Sequence, residues 1–87
     1  MIWAKNVYPD NAWFAFAAKA GFAVTGVEPK RIEAAIRLCH RRALKDETDE
    51  VEIPNAKIEC QASTDESDPG FSVDVWMNDH EARKGVE

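Results

Sequence analysis

Long apolar runs are missing from this sequence. No stretch approaches the ~20 consecutive apolar residues that a membrane-spanning helix needs. The opening MIWAKNVYPD has one lysine and no apolar h-region before a small-residue cleavage site, which predicts no signal peptide and no membrane association. Cysteine is scarce: two residues, Cys39 and Cys60, cannot build a disulfide scaffold. The expectation is a reduced, cytoplasmic chain with both thiols buried. Histidine is equally scarce, with only His40 and His80. There is no CxxC, no HxxxH and no glycine-rich phosphate cradle. The acidic stretches DETDEVE (46–52) and DESDPG (65–70) lack the alternating ligands, central glycine and terminal glutamate of a calcium loop. Cys39 and His40 are adjacent on a helix, about 100° apart, and so do not face each other to share a proton. NDHE (78–81) gathers polar groups, but nothing implies the pocket and second partner that acid–base work requires. No catalytic residue, metal site or cofactor is therefore expected, and the chain is read as a non-enzyme.

What remains is the composition of an ordinary folded domain. A content of 45% hydrophobic and 31% charged residues is too apolar for a disordered chain. With 87 residues there is room for one small core and one domain, residues 1–87.

Two helices come first. Ile2, Trp3, Val7 and Tyr8 suit a short strand or an ordered arm. YPDN then reads as a turn, with Asp10 or Asn11 as N-cap. The alanine-rich AWFAFAAKA predicts a helix over about 11–20, with Gly21 as its stop. This helix is apolar nearly all round. Trp13, Phe16, Ala17 and Ala20 share one face and Phe14 points away from it, so Trp13 and Phe14 become candidates for self-association. Pro29 suits a first helical position, and Ile32, Ile36, Cys39 and Ala43 repeat at helical spacing, predicting a second helix over about 29–45.

The period then changes from 3.6 to 2. Val51 and Ile53 alternate with glutamates, predicting a strand over about 50–53 that Pro54-Asn55 ends. Ala56, Ile58, Cys60 and Ala62 predict a strand over about 56–62, and Phe71, Val73, Val75 and Met77 one over about 71–77. The tail from Asn78 reads as frayed or weakly helical. The expected architecture is a two-layer α+β fold, with two helices on one face of a small antiparallel sheet of about three strands. The outer face would carry Lys57, Glu59, Asp74 and Trp76.

Charge is the sharpest feature. Residues 29–45 carry a net charge of +5, and residues 46–81 a net of −11, with the reversal at Lys45-Asp46. The cations Arg41, Arg42 and Lys45 suit the negative end of the helix dipole. The acids continue well beyond it, which marks a partner surface. Carboxylates on strands and loops can imitate phosphates and occupy a basic groove. The candidate partner-binding residues are Asp46, Glu47, Asp49, Glu50, Glu59, Asp65, Glu66, Asp68, Asp74 and Trp76. Their expected partner is a protein with a basic surface, such as a nucleic-acid-binding complex. Small size, acidity and the lack of a catalytic kit are also the general character of phage-encoded inhibitors such as anti-CRISPR proteins.

Two rival functions follow from other residues. GVEPKRIEAAIR (26–37) resembles the turn and second helix of helix-turn-helix proteins over a dozen residues, with Gly26-Val27 in the turn and Ile32 and Ile36 inward. It departs from them at Gly21-Phe22, Glu28 and Glu33. The resemblance implies a DNA-binding regulator that uses the Lys30, Arg37 and Arg41 face. The apolar first helix suggests instead a structural or assembly subunit, a homodimer at the least.

Overall fold

In the computed structural model, which describes residues 2–77, the chain runs β1 (Ile2–Ala4), α1 (Asn11–Thr25), α2 (Pro29–Asp46), β2 (Thr48–Ile53), β3 (Ala56–Ser63) and β4 (Gly70–Met77). The strands form one antiparallel sheet in the order β1-β4-β3-β2. Both helices cover one face, α2 over β2 and β3, and α1 over β4. The two-layer α+β arrangement agrees with expectation, but the sheet has four strands. The fourth is β1, which pairs with the outer edge of β4, Trp3 opposite Ser72. NDHE, with His80, lies outside the described residues.

Local chemistry sets the element ends. The Asp10 side chain accepts a hydrogen bond from the Trp13 N–H at 2.9 Å and caps α1. Gly26, in the left-handed region at φ 76°, closes α1 by donating to the Phe22 carbonyl. The helix therefore runs through the expected stop at Gly21 and four residues beyond it, to Thr25. That glycine serves packing instead: a Cβ there would lie 2.8 Å from Ile32 Cγ2. It marks a close approach of α1 to α2, and Phe14, Ala17 and Ala18 are buried on the same side. The expected grouping of helix 1 is corrected accordingly. Phe14 is 3% exposed and Phe16 is 62% exposed.

α2 opens with Pro29 and buries Ile32, Ala35, Ile36, Cys39, His40 and Ala43. Its inner stripe meets Val51, Ala56, Ile58, Cys60 and Ala62 from the sheet. Pro54 and Asn55 form a two-residue hairpin turn between β2 and β3. Proline at the first central position and Asn55 at φ 71° are the requirements of a type II turn. β2 is an edge strand, as its short length and flanking proline suggest.

Cys39 and Cys60 are joined as a disulfide, which corrects the expectation of two free thiols. The physical reason is the seating of α2 on β3. It brings the two Cα atoms to 6.2 Å, inside the window that a disulfide spans. His40 is structural. Its Nε2 lies 2.7 Å from the Val7 carbonyl oxygen, which can only accept, so Nε2 carries the hydrogen. The ring stands edge-on to Phe71 and Phe14 at 4.7 and 5.5 Å between centroids. This contact ties the segment after β1 to α2.

Candidate functional site

A strand exposes every second side chain on each face, so one face of the sheet is core and the other is open. The register aligns the outward residues in rows across the strands. Asp74, Glu59 and Glu50 stand directly opposite one another on β4, β3 and β2. On one side lies the row Trp76, Lys57 and Glu52, and on the other the row Trp3, Ser72, Gln61 and Thr48. Glu50, Glu59, Gln61, Ser72 and Asp74 line a shallow hollow of about 540 Å³. A second hollow of about 180 Å³ adjoins it, sharing Gln61 and Ser72 and bounded by Trp3 and Asp68. Trp3 and Trp76, 55% and 44% exposed, flank the acidic row.

The electrostatics of this face are self-opposed. Like charges directly opposite on neighbouring strands destabilise a sheet. Two unit charges 4 Å apart repel by about 1 kcal/mol even in water-like surroundings. Glu50 opposite Glu59 and Glu59 opposite Asp74 make two like-charge pairs in register. Lys57 relieves part of the strain, with its Nζ 3.4 Å from Glu50 Oε2 and 3.6 Å from Glu59 Oε1. The hydrogen bond to Glu50, and then the charges of Glu50 and Glu59, hold the Lys57 ammonium above the ordinary lysine range. Among the described residues of these two rows, the acids Glu50, Glu52, Glu59 and Asp74 outnumber the one cation, Lys57.

The ten residues expected to form one site divide into groups. Glu50, Glu59, Asp74 and Trp76 come together on the outer face. Asp65, Glu66 and Asp68 sit in the β3–β4 loop, and Asp68 reaches the smaller hollow. Asp65 accepts hydrogen bonds from both the N–H and the hydroxyl of Ser67, which hold its carboxyl below the usual aspartate range. Asp49 also lines the larger hollow, but its carboxylate is engaged on the other side of the strand. It pairs in register with inward Cys60, and its carboxylate lies 3.9 Å from Arg42 on the helical side. Asp46 and Glu47 sit at the α2–β2 junction, where Asp46 adjoins Arg41, Arg42 and Lys45. Of the two proposed self-association residues, Phe14 is buried and Trp13 half-buried against the core, so neither presents a free ring.

Sequence reasoning missed Trp3, Thr48, Gln61 and Ser72. The last three stand at alternating strand positions and could have been found by extending the period-2 pattern. Trp3 could not, because a three-residue strand carries no readable period.

The basic residues occupy the other layer. Lys30, Arg31, Arg41, Arg42 and Lys45 are exposed on α2. Arg37, part of the face expected to touch DNA, is engaged within the fold. Its Nε bonds Glu33 at 3.0 Å, its Nη2 donates to Asn11 at 3.0 Å, and its guanidinium lies 4.4 Å above the Phe14 ring. The two charge blocks therefore face opposite ways, cations on the helical layer and anions on the open sheet. Among the described residues, no group of three or more histidine, cysteine or acidic side chains is placed to hold a metal ion, and no helix is long and apolar enough to cross a membrane.

The site thus belongs to a two-layer α+β protein with an open, acidic sheet face. Compared with known proteins, the chain matches no family model, no curated protein and no solved structure.

Proposed function

We propose that this chain is a non-enzymatic binding protein whose outer sheet face seats on a basic surface of a protein partner. One observation carries the proposal: the in-register row Asp74–Glu59–Glu50. Local stability disfavours such a row, and an arginine- or lysine-rich partner would turn its repulsion into attraction. Trp3 and Trp76 supply exposed aromatic rings of the kind that dominate binding hot spots. The chemistry fits an inhibitor that imitates nucleic acid, of the phage-encoded, anti-CRISPR type, acting in the cytoplasm. There a thiol pool would hold Cys39 and Cys60 reduced. Cytoplasmic action therefore requires the fold to stand without their bond.

The test is capture from nuclease-treated cell lysate with three baits: the wild type, a Glu50→Lys/Glu59→Lys variant, and an Arg41→Glu/Arg42→Glu variant. The expected result is a protein retained by the wild type and the helix variant, lost from the sheet variant, and released by raised salt. Capture that needs nucleic acid and fails with the helix variant would transfer the function to α2. Capture indifferent to both variants would refute the acidic face as the contact.

A further inference from the structure

We infer that an extended segment of the protein partner, with lysine or arginine at every second position, adds to the free edge of β2 as a further strand. The partner's basic character rests on the proposed function; the mode of attachment goes beyond it. The sheet ends at β1 on one side and at β2 on the other. β1 has three residues and β2 has six, so β2 offers the longer edge. Its hydrogen-bonding parity follows from its two ends. The Glu47 carbonyl accepts from the Ala62 N–H at 2.7 Å, and Ile53 stands opposite Ala56 across the tight turn. Bonded residues alternate along an antiparallel pair, so Asp49, Val51 and Ile53 bond β3 while Thr48, Glu50 and Glu52 turn their backbone groups outward. Among the described residues, the N–H groups of Thr48 and Glu52 and the carbonyls of Thr48, Glu50 and Glu52 have no protein partner. The Glu50 N–H is taken by Asp49 Oδ1 at 2.7 Å.

An unpaired edge admits a strand through its backbone, and the side chains decide which strand. In antiparallel addition, the residues opposite Thr48, Glu50 and Glu52 exchange backbone hydrogen bonds with them and point to the same outer face. The place opposite Glu50 continues the row Asp74–Glu59–Glu50, and the place opposite Glu52 continues the row Trp76–Lys57–Glu52. A cation at either place stands directly across from a carboxylate, the pairing that stabilises a sheet. β2 carries no lysine or arginine to repel it. Lys57 is shared between Glu50 and Glu59, and among the described residues Glu52 has no ion-pair partner. The residues between the cations turn to the helical side, next to buried Val51 and half-buried Ile53, where apolar side chains fit. A second copy of this chain is the poorer occupant. Centred on Glu50, two antiparallel β2 strands would set Glu50 against Glu50, a like-charge pair.

The probe is the peptide acetyl-Lys-Val-Lys-Val-Lys-Val-amide, titrated to about 1 mM into the full, isotope-labelled chain and followed by NMR amide hydrogen exchange. Its control carries methyl groups on the lysine backbone nitrogens, which keeps the charge and removes the donors that would meet β2. The expected result is slowed exchange at the Thr48 and Glu52 amides with the plain peptide, and binding weaker by about tenfold or more with the methylated one. Glu52→Pro removes an outward donor without costing a bond to β3, and should weaken the plain peptide to the same extent. Glu52→Gln should retain strand addition at reduced affinity. Circular dichroism melts show that both variants are folded.

Equal binding of the two peptides, with Thr48 and Glu52 exchanging as fast as before, would overturn strand addition and leave the acidic face as the contact, so the proposed function would survive. Slowed exchange at both amides that Glu59→Lys, on the interior strand β3, leaves untouched would uphold strand addition while the outer face fails as the contact. No binding of either peptide at about 1 mM would overturn the inference.

Discussion

Replacing Gly21 by alanine tests the packing of α1 against α2 and β4. Alanine favours a helix interior over glycine by about 1 kcal/mol, so propensity alone makes Gly21→Ala stabilising. The structure opposes this. The added Cβ would stand 2.8 Å from Ile32 Cγ2 and 3.4 Å from Val75 Cγ1, where carbon atoms prefer 3.5–4.0 Å. Ile32 is fully buried, and its β-branch leaves it little freedom to turn aside. Overpacking of this kind destabilises by roughly 1–3 kcal/mol. The net expectation is a loss of about 1 kcal/mol, or a fall of about 4–8 °C in Tm for a domain of this size. Urea denaturation followed by tryptophan fluorescence and by circular dichroism measures it. Ile32→Leu supplies the control, since leucine keeps the volume but lacks the offending β-methyl. In that background Gly21→Ala should lose most of its penalty, giving a coupling of about 1 kcal/mol in a double-mutant cycle. If Gly21→Ala raises stability by the full propensity difference in the wild-type background, α1 does not approach α2 at Gly21. The assignment of Phe16, Phe22 and Val24 to the open side would fail with it.

Two further outcomes are expected. The Cys39–Cys60 bond closes a separation of 21 residues, so reduction should lower stability by about 3 kcal/mol through the freedom restored to the unfolded chain. The check is the urea midpoint with and without reductant, and equal midpoints would refute the pairing. A chain still folded after reduction remains compatible with the cytoplasm, and the Cys39 sulfur then has the Asp49 carbonyl oxygen 3.4 Å away as an acceptor. At the β3–β4 loop, Ser67→Ala removes the hydroxyl that helps hold Asp65 ionised, so the Asp65 pKa should rise towards its ordinary value of 3.8. A depressed carboxyl pKa stabilises the fold above the unfolded-state value and loses that contribution as pH falls through the folded-state value. The difference between wild type and Ser67→Ala should accordingly be present at neutral pH and vanish in acid below the folded-state pKa. An NMR titration of Asp65 that is identical in both proteins would disprove the role of the hydroxyl.

How far the fold was legible depended on whether a segment carried two kinds of side chain. α2 alternates Ile32, Ile36, Cys39 and Ala43 with charged residues, and the three long strands alternate apolar with polar. Their periods therefore identified both the element and its buried side. α1 has no such contrast. With alanine and aromatic residues on every side, its sequence could not say which side was inner. Gly21 read as a stop because glycine often ends helices, whereas its role here depends on Ile32, eleven residues away, and on Val75, in the last strand. Trp3 was invisible for a related reason: its place beside Ser72 depends on the first residues of the chain joining the last strand.

The charge reversal at Lys45-Asp46 shows what a block of like residues conceals. The acids from Asp46 to Glu52 read as one patch, but they fall on a helix end, a turn and a strand. α2 ends at Asp46, and Glu47 turns the chain at φ 70°. From Thr48 onward, strand parity sorts the rest. Thr48, Glu50 and Glu52 take the outer face, and Asp49 and Val51 the helical side. Asp49 is thereby placed within reach of Arg42, and two oppositely charged blocks neutralise each other at that point. Asp46, at the end of α2, also adjoins Arg41, Arg42 and Lys45, whereas Glu50, Glu52, Glu59 and Asp74 lie across the sheet from them. Composition counted the acids correctly but could not assign them to faces, because that assignment rests on a parity that begins only where the helix stops. The conflict that marks the open face, three carboxylates abreast, comes from register alone. Glu50, Glu59 and Asp74 are separated by nine and fifteen residues in the chain and become neighbours only when β2, β3 and β4 align.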